Sequence, residues 1–278
     1  TTVTWGIDAP ADVVSLDGQA AAEAASRKVS RFLDLVGGRD RPRCRVISVN
    51  DFPTAAGLAS SSSGFAALAL AATAAARQDR SVKELSALAR FGSGSACRSL
   101  WGGWVAWDMG VQPDGSDCHG APLAPREHWD LAVVVALVSR APKAVSSTGG
   151  MQDTARTCPF YDRWVQTAPG DVAEGRRAIL ARDLERLGRV MEWSTLKMHS
   201  TMLTTEPSIR YWLPATLACV GVVEALRKAG VGAWYTMDAG PNVKVLCARE
   251  DAKVVADALE TVVDAVEVLG VGGDARLC

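Results

Sequence analysis

Histidine is scarce in this chain. Its three copies, His119, His128 and His199, stand far apart and make no metal-ligand spacing. The cysteines number seven, an odd count, and are scattered from Cys44 to Cys278 without a C-x-x-C pair. That argues against a zinc ribbon or a disulfide framework and for reduced thiols. An excess of either charge is missing too: 30 Lys and Arg face 31 Asp and Glu, a net charge of -1. A nucleic-acid coat or a polybasic membrane surface is therefore not expected, and a polyanionic ligand must be held by local devices. No run is long and apolar enough to cross a bilayer; the longest mainly apolar stretch, residues 64–76, is rich in alanine, broken by Thr73, and reads as a buried helix. The G-x-x-x-x-G-K-[ST] loop is absent, which excludes an ordinary P-loop NTPase. No secretory signal is legible, so a cytoplasmic protein is expected. The chain opens on Thr-Thr-Val-Thr-Trp, already an alternating strand pattern without an initiator Met, and further residues are expected upstream of Thr1.

The 278 residues, 48% hydrophobic and 22% charged, suffice for one large domain or two modest ones. Strands are expected over 1–5, 45–49, 104–109, 131–138, 233–237, 243–247 and 266–271. Asp17 is read as the cap of a helix reaching residue 36, stopped by Gly37-Gly38. Further helices are expected over 61–76, from the Ser81/Glu84 capping box to about 91, shortly after Gly94, from a cap at Ser147 to about 156, and over 171–182, 184–203, 213–228 and 251–265. Residues 110–127, rich in Pro, Gly, Asp and Ser, are the candidate boundary, either a long hairpin loop or a linker. The irregular interleaving of strands and helices argues for α+β rather than a doubly wound sheet.

Four segments carry candidate chemistry. In 51–64, Gly57, Leu58 and Ala59 lead into Ser60-Ser61-Ser62-Ser63 at a helix mouth. Free first-turn amides and serine hydroxyls make an anion site there, although a plain serine cap accounts for the same residues. In 92–103, Ser93, Gly94, Ser95, Ala96 and Cys97 precede Arg98, whose planar fork suits a carboxylate or phosphate. A lone surface arginine is the bland alternative. In 146–152, Ser146, Ser147 and Thr148 open another helix after Lys143. In 235–244, Asp238 lies in an Asp-Ala-Gly-Pro-Asn stretch; it is either a turn former or a carboxylate that accepts a proton from a bound hydroxyl. Cys97 reads by default as a small packing residue.

The strings F-P-T-A-A-G-L-A-S-S, G-S-G-S-A-C-R-S-L, S-S-T-x-G-M-Q and T-M-D-A-G-P-N-V-K, with residues 196–201 beside them, resemble the diphosphomevalonate decarboxylase family of the GHMP kinase superfamily. The resemblance runs from near Thr1 to about Val271, and the last string looks more bacterial than animal or fungal. It implies a two-lobed GHMP-kinase-like α+β fold, lobes 1–126 and 127–278, with a deep cleft between them. It implies ATP and Mg²⁺ as cofactors, with no direct protein ligand expected for the metal, and a small phosphorylated substrate. The reaction implied is phosphorylation of the tertiary hydroxyl of mevalonate 5-diphosphate, followed by loss of phosphate and CO₂ to give isopentenyl diphosphate. The resemblance casts Asp238 as the catalytic aspartate and Arg98 as the holder of the substrate carboxylate. Ser93, Gly94, Ser95, Ala96 and Cys97 line the substrate, with Thr148 close to its phosphates. Gly57, Leu58, Ala59, Ser60 and Ser61 form the nucleotide phosphate loop, and Ser147 stands near the phosphates. The family's N-terminal segment, with a substrate-contacting Lys and aromatics, is not matched in this sequence, and a homodimer is the assembly implied. Decarboxylation of mevalonate 5-phosphate, a mevalonate 3-kinase and a non-catalytic nucleotide-binding homologue stay open; Asp238 and Arg98 together favour decarboxylation.

Overall fold

A computed structural model describes residues 1–51, 60–141 and 145–278. The chain divides into two compact units, one reaching Pro125 and including the tail Gly273–Cys278, the other covering Arg126–Gly272. The tail thus belongs with the first unit, although it follows the second in sequence.

The first unit carries a sheet of order β1-β4-β2-β3. Strand β1 (Thr2–Trp5) runs antiparallel to β4 (Cys44–Ser48), which pairs in parallel with β2 (Val13–Leu16). β2 turns back into β3 (Gln19–Ala20) through Asp17 and Gly18, both at positive φ. Asp17 is therefore not a helix cap: an Asp-Gly pair accepts two left-handed residues, the backbone a tight hairpin requires. Helix α1 (Glu23–Gly37) starts later, after Ala22. Helix α2 (Ser60–Ala75) buries Phe65, Ala66, Leu68, Ala69 and Ala72. Its alanines permit close approach on several sides, as expected for a helix buried nearly all round. Helix α3 (Val82–Gly92) begins at the expected box, with the Ser81 hydroxyl accepting from the Glu84 amide and the Glu84 carboxylate from the Ser81 amide. Phe32 of α1 meets Phe65 edge-on, ring centres 5.4 Å apart. A 3₁₀ turn (Gly94–Arg98) follows, then the hairpin of β5 (Trp104–Trp107) and β6 (Gly120–Ala124). Residues 108–119 are that hairpin's loop, and the division between units falls just after β6.

The second unit holds an antiparallel sheet of order β10-β7-β9-β8. Its strands are β7 (Leu131–Ala136), β8 (Ala233–Thr236), β9 (Val243–Ala248) and β10 (Val266–Leu269). Helices α7 (Pro214–Lys228) and α8 (Ala252–Leu259) seal Cys219, Val223, Val255 and Leu259 against Ala132, Val134, Val243 and Val245. Strand β7 also buries Leu131 and Val135, so its run is apolar throughout, as a centrally placed strand requires. Helix α4 (Ser147–Thr157) precedes α5 (Tyr161–Ala181) and α6 (Leu184–Leu203). Arg182 in the left-handed region and Asp183, accepting from the Arg186 amide at 3.0 Å, make the α5–α6 corner. The expected late start of α5 is corrected: Pro169 lies inside it without ending it. Helix α8 is shorter than expected, because a 3₁₀ turn (Arg249–Asp251) precedes it and the chain leaves the helix after Leu259. No described helix is long and apolar enough to cross a membrane.

Candidate functional site

In the first unit, the structure brings two of the sequence-marked segments together. Ser61 on the first turn of α2 and Ser93 before the 3₁₀ turn stand with hydroxyl oxygens 3.1 Å apart. Ser62 and Ser95 form a second hydroxyl pair one step deeper. This serine edge borders the N-terminal end of α2, the positive end of the helix dipole. Gly57, Leu58 and Ala59 lie outside the described residues, as does Lys143.

The 3₁₀ turn is fixed from beneath. Ser86, fully buried on α3, donates to the Cys97 carbonyl at 2.7 Å and accepts from the Gly120 amide at 2.9 Å. Ala96 and Cys97 are buried, and burial pushes the Cys97 thiol up to about 11, so it packs and stays protonated near neutral pH. Arg98 is exposed, its guanidinium 5.8 Å from the Trp107 ring centre. Among the described residues no carboxylate pairs with it, which leaves its fork available to an external carboxylate.

Next to the serine edge, a cavity of ≈ 260 Å³ is lined by Val14, Leu16, Val29 and Phe65, with Lys28 and Ser60 at its border. The Lys28 ammonium stands 4.9 Å from the Phe65 ring centre. Of these residues the sequence marks Ser60 alone, for the phosphate loop. They come from β2, α1 and α2, three elements that only the tertiary fold puts round one space.

In the second unit, Ser146 caps α4, its hydroxyl accepting from the Gly149 amide at 3.0 Å. That corrects the expected cap by one residue: Ser147 and Thr148 occupy the first helical turn instead. Asp238 follows β8 in a turn closed by the Gly240 amide donating to the Asp238 carbonyl at 2.8 Å. The turn is stitched from both flanks. Thr216 donates to the Pro241 carbonyl at 2.8 Å, and buried Asn242 exchanges two hydrogen bonds with the Ser139 backbone. Beneath lies His199, 2% exposed, its ring facing the Met237 and Asp238 backbone and edge-on to Tyr211 and Trp212. Burial pushes this imidazole down to about 4, so it is neutral near pH 7. Ala239 shares a small apolar cluster with Met202, Ile209, Tyr211, Val145 and Met151, on which α4 also rests. The α4 mouth and the Asp238 turn therefore share one foundation.

The Asp238 carboxylate, 59% exposed, accepts from the Lys244 ammonium at 2.8 Å, while Lys244 is only 12% exposed. Lys244 was quoted within its string but given no role by sequence reading. The signal was there: a β8–β9 hairpin pairs Thr236 with Lys244, which brings the lysine beside the strand's end. A lysine held so fixes the orientation of the aspartate.

Residues 1–120 match the family model "Diphosphomevalonate decarboxylase-like N-terminal domain", and residues 133–269 match "Mevalonate 5-diphosphate decarboxylase C-terminal domain". The chain is 41% identical over 220 residues to the diphosphomevalonate decarboxylase of Ganoderma lucidum, covering 76% of this chain and 55% of that relative. The chain thus spans little more than half the length of that curated relative. It resembles the crystal structure of mevalonate diphosphate decarboxylase from Staphylococcus aureus at 35% identity and TM-score 0.90, over 98% of this chain and 83% of that one. A structure of MDDEF in complex with MVAPP, AMPPCP and magnesium is 37% identical with TM-score 0.91, over 98% and 84% of the two chains. The matches include a fungal and a bacterial protein and do not assign the T-M-D-A-G-P-N-V-K string to one lineage. On both halves, by sequence and by α+β fold of the GHMP-kinase type, the chain belongs to the diphosphomevalonate decarboxylase family.

Proposed function

We propose that the chain catalyses the ATP-dependent decarboxylation of mevalonate 5-diphosphate to isopentenyl diphosphate. The observation that carries this reading is its likeness, over nearly its whole length, to a solved relative holding MVAPP, AMPPCP and magnesium. In this reading the two units are the two lobes, divided close to the expected 126/127 border, with the tail Gly273–Cys278 joined to the first. The apolar cavity beside α2 takes the nucleotide base, and Gly57, Leu58, Ala59, Ser60 and Ser61 take its phosphates, with Ser147 assisting. Residues 93–97 and Thr148 line the substrate. ATP would bring Mg²⁺ on its phosphates. When bound, the ion neutralises phosphate charge as the phosphoryl group moves.

Asp238 accepts the proton of the tertiary hydroxyl, whose oxygen bonds to the γ-phosphorus while the bond to ADP breaks. Lys244, hydrogen-bonded to that carboxylate, orients it. The new phosphate then leaves with the C–O electron pair, and positive charge grows on the tertiary carbon. Arg98 orients the substrate carboxylate so that its C–C electron pair moves into the new double bond and CO₂ departs. A cytoplasmic homodimer completes the proposal. Incubation with ATP, Mg²⁺ and mevalonate 5-diphosphate or mevalonate 5-phosphate, following both ADP and CO₂, is the test. Equal yields of ADP and CO₂ from the diphosphate are expected; ADP without CO₂ leaves a 3-kinase, and nucleotide binding without turnover leaves a non-catalytic homologue.

A further inference from the structure

The chain's last residues return to the first unit and lie against the loop that follows Arg98. The Gly102 amide donates to Asp274 Oδ1 at 2.7 Å, and the Ala275 amide donates to the Leu100 carbonyl at 3.2 Å. A Cβ on Gly102 would come within 2.5 Å of the Gly273 carbonyl carbon, so backbone meets backbone and no side chain fits between. Ala275 packs against the first unit's core, and Leu100 is buried at 3% exposure. On the other side of Arg98, the Cys97 carbonyl is held by buried Ser86. The arginine therefore rises from a short backbone span tied at both ends, one tie internal to the unit and the other supplied by the tail.

We propose that Asp274 is a positioning residue for Arg98, fixing the 98–102 loop and with it the direction of the guanidinium. The proposal rests on the reading of Arg98 as the holder of the substrate carboxylate. A planar fork makes two parallel hydrogen bonds only when its approach is right, and an exposed side chain has no walls to enforce that approach. Trp107 supports one side of the guanidinium; the backbone beneath it must supply the rest. A carboxylate accepting from a backbone amide is a charge-assisted bond, stronger than a neutral one.

Two substitutions in the full chain test this. Asp274→Ala removes the acceptor, whereas Asp274→Asn retains an oxygen at the same place. Amide hydrogen exchange over 98–103 and steady-state kinetics with mevalonate 5-diphosphate and ATP are measured for parent and variants. Asp274→Ala is expected to speed exchange in that segment and raise KM for mevalonate 5-diphosphate about tenfold, as loss of one charge-assisted bond implies. KM for ATP should stay within about twofold, and Asp274→Asn, which keeps a neutral acceptor, should recover part of the loss. Unchanged exchange in Asp274→Ala overturns the proposal. So does faster exchange with unaltered kinetics, or with both KM values rising together and no rescue by Asn. A parent that releases no CO₂ sinks the decarboxylase reading instead, and the exchange measurement still decides whether Asp274 holds the loop.

Discussion

Asp238 and Arg98 illustrate opposite ways of preparing an exposed charge. The aspartate stands in a turn held by Thr216, Asn242 and its own Gly240 amide, with a nearly buried lysine against it. The arginine has a ring on one side and pinned backbone below. The proposed roles predict that Asp238→Asn lowers kcat by roughly 10²–10⁴-fold, with nucleotide affinity nearly unchanged in a fluorescent-ATP titration. Arg98→Lys should lower kcat/KM for mevalonate 5-diphosphate, because a point charge cannot reproduce the fork. Parent-like rates in both variants would remove these residues from the chemistry. Neither residue could be separated in the sequence from a turn former or a surface arginine, since the groups that distinguish them, Lys244 and Trp107, act through space.

At the scale of elements, close approach decides what the periodicity leaves open. Helix α6 lies so near β8 that a Cβ on Gly188 would meet the Trp234 ring at 2.0 Å. Gly188→Ala should therefore destabilise the second unit by about 1–3 kcal/mol, read from the urea midpoint, and Trp234→Leu in the same chain should recover part of the loss. A midpoint unmoved by the first change would show that the helix and strand are not in such contact. Here the sequence offered a glycine within a helical pattern, which by itself only lowers helix propensity. Capping chemistry was more legible: the Ser81/Glu84 box is local and formed where expected, whereas Asp17-Gly18 was misread because a capping aspartate and a hairpin aspartate look alike until the partner strand is known.

Across the whole molecule, acid should act through two buried groups. Burial pushes His199 in the second unit down to about 4, while the unfolded chain takes up that proton near the ordinary 6.5. Its contribution to stability is complete above about pH 6.5 and is lost as pH falls toward about 4. In the first unit, burial alone would raise the Asp12 carboxyl. Hydrogen bonds and charge from buried Arg41, with the Cys44 amide, outweigh it and hold the group at about 2. That contribution is present above the ordinary value of 3.8 and is lost between there and about 2. Urea unfolding at stepped pH should show stability falling in both windows, with His199→Gln flattening the upper one and leaving the lower. A profile unaffected by that substitution would mean that His199 is not buried neutral.

Sequence alone determined the elements whose causes are local: the alanine-rich buried helix, the capping box, the apolar central strand, and the four strings that identify the family. These depend on neighbours within a few residues, where propensity, capping and periodicity operate. Tertiary structure decided what distant residues do together. It brought Ser61 to Ser93, set Lys244 on Asp238, laid His199 beneath that turn, opened the cavity beside Phe65 and returned the tail to Gly102. Apart from the Asp238–Lys244 pair, which one hairpin brings together, those relations arise from strand pairing and packing between segments far apart in the chain, which no local pattern encodes.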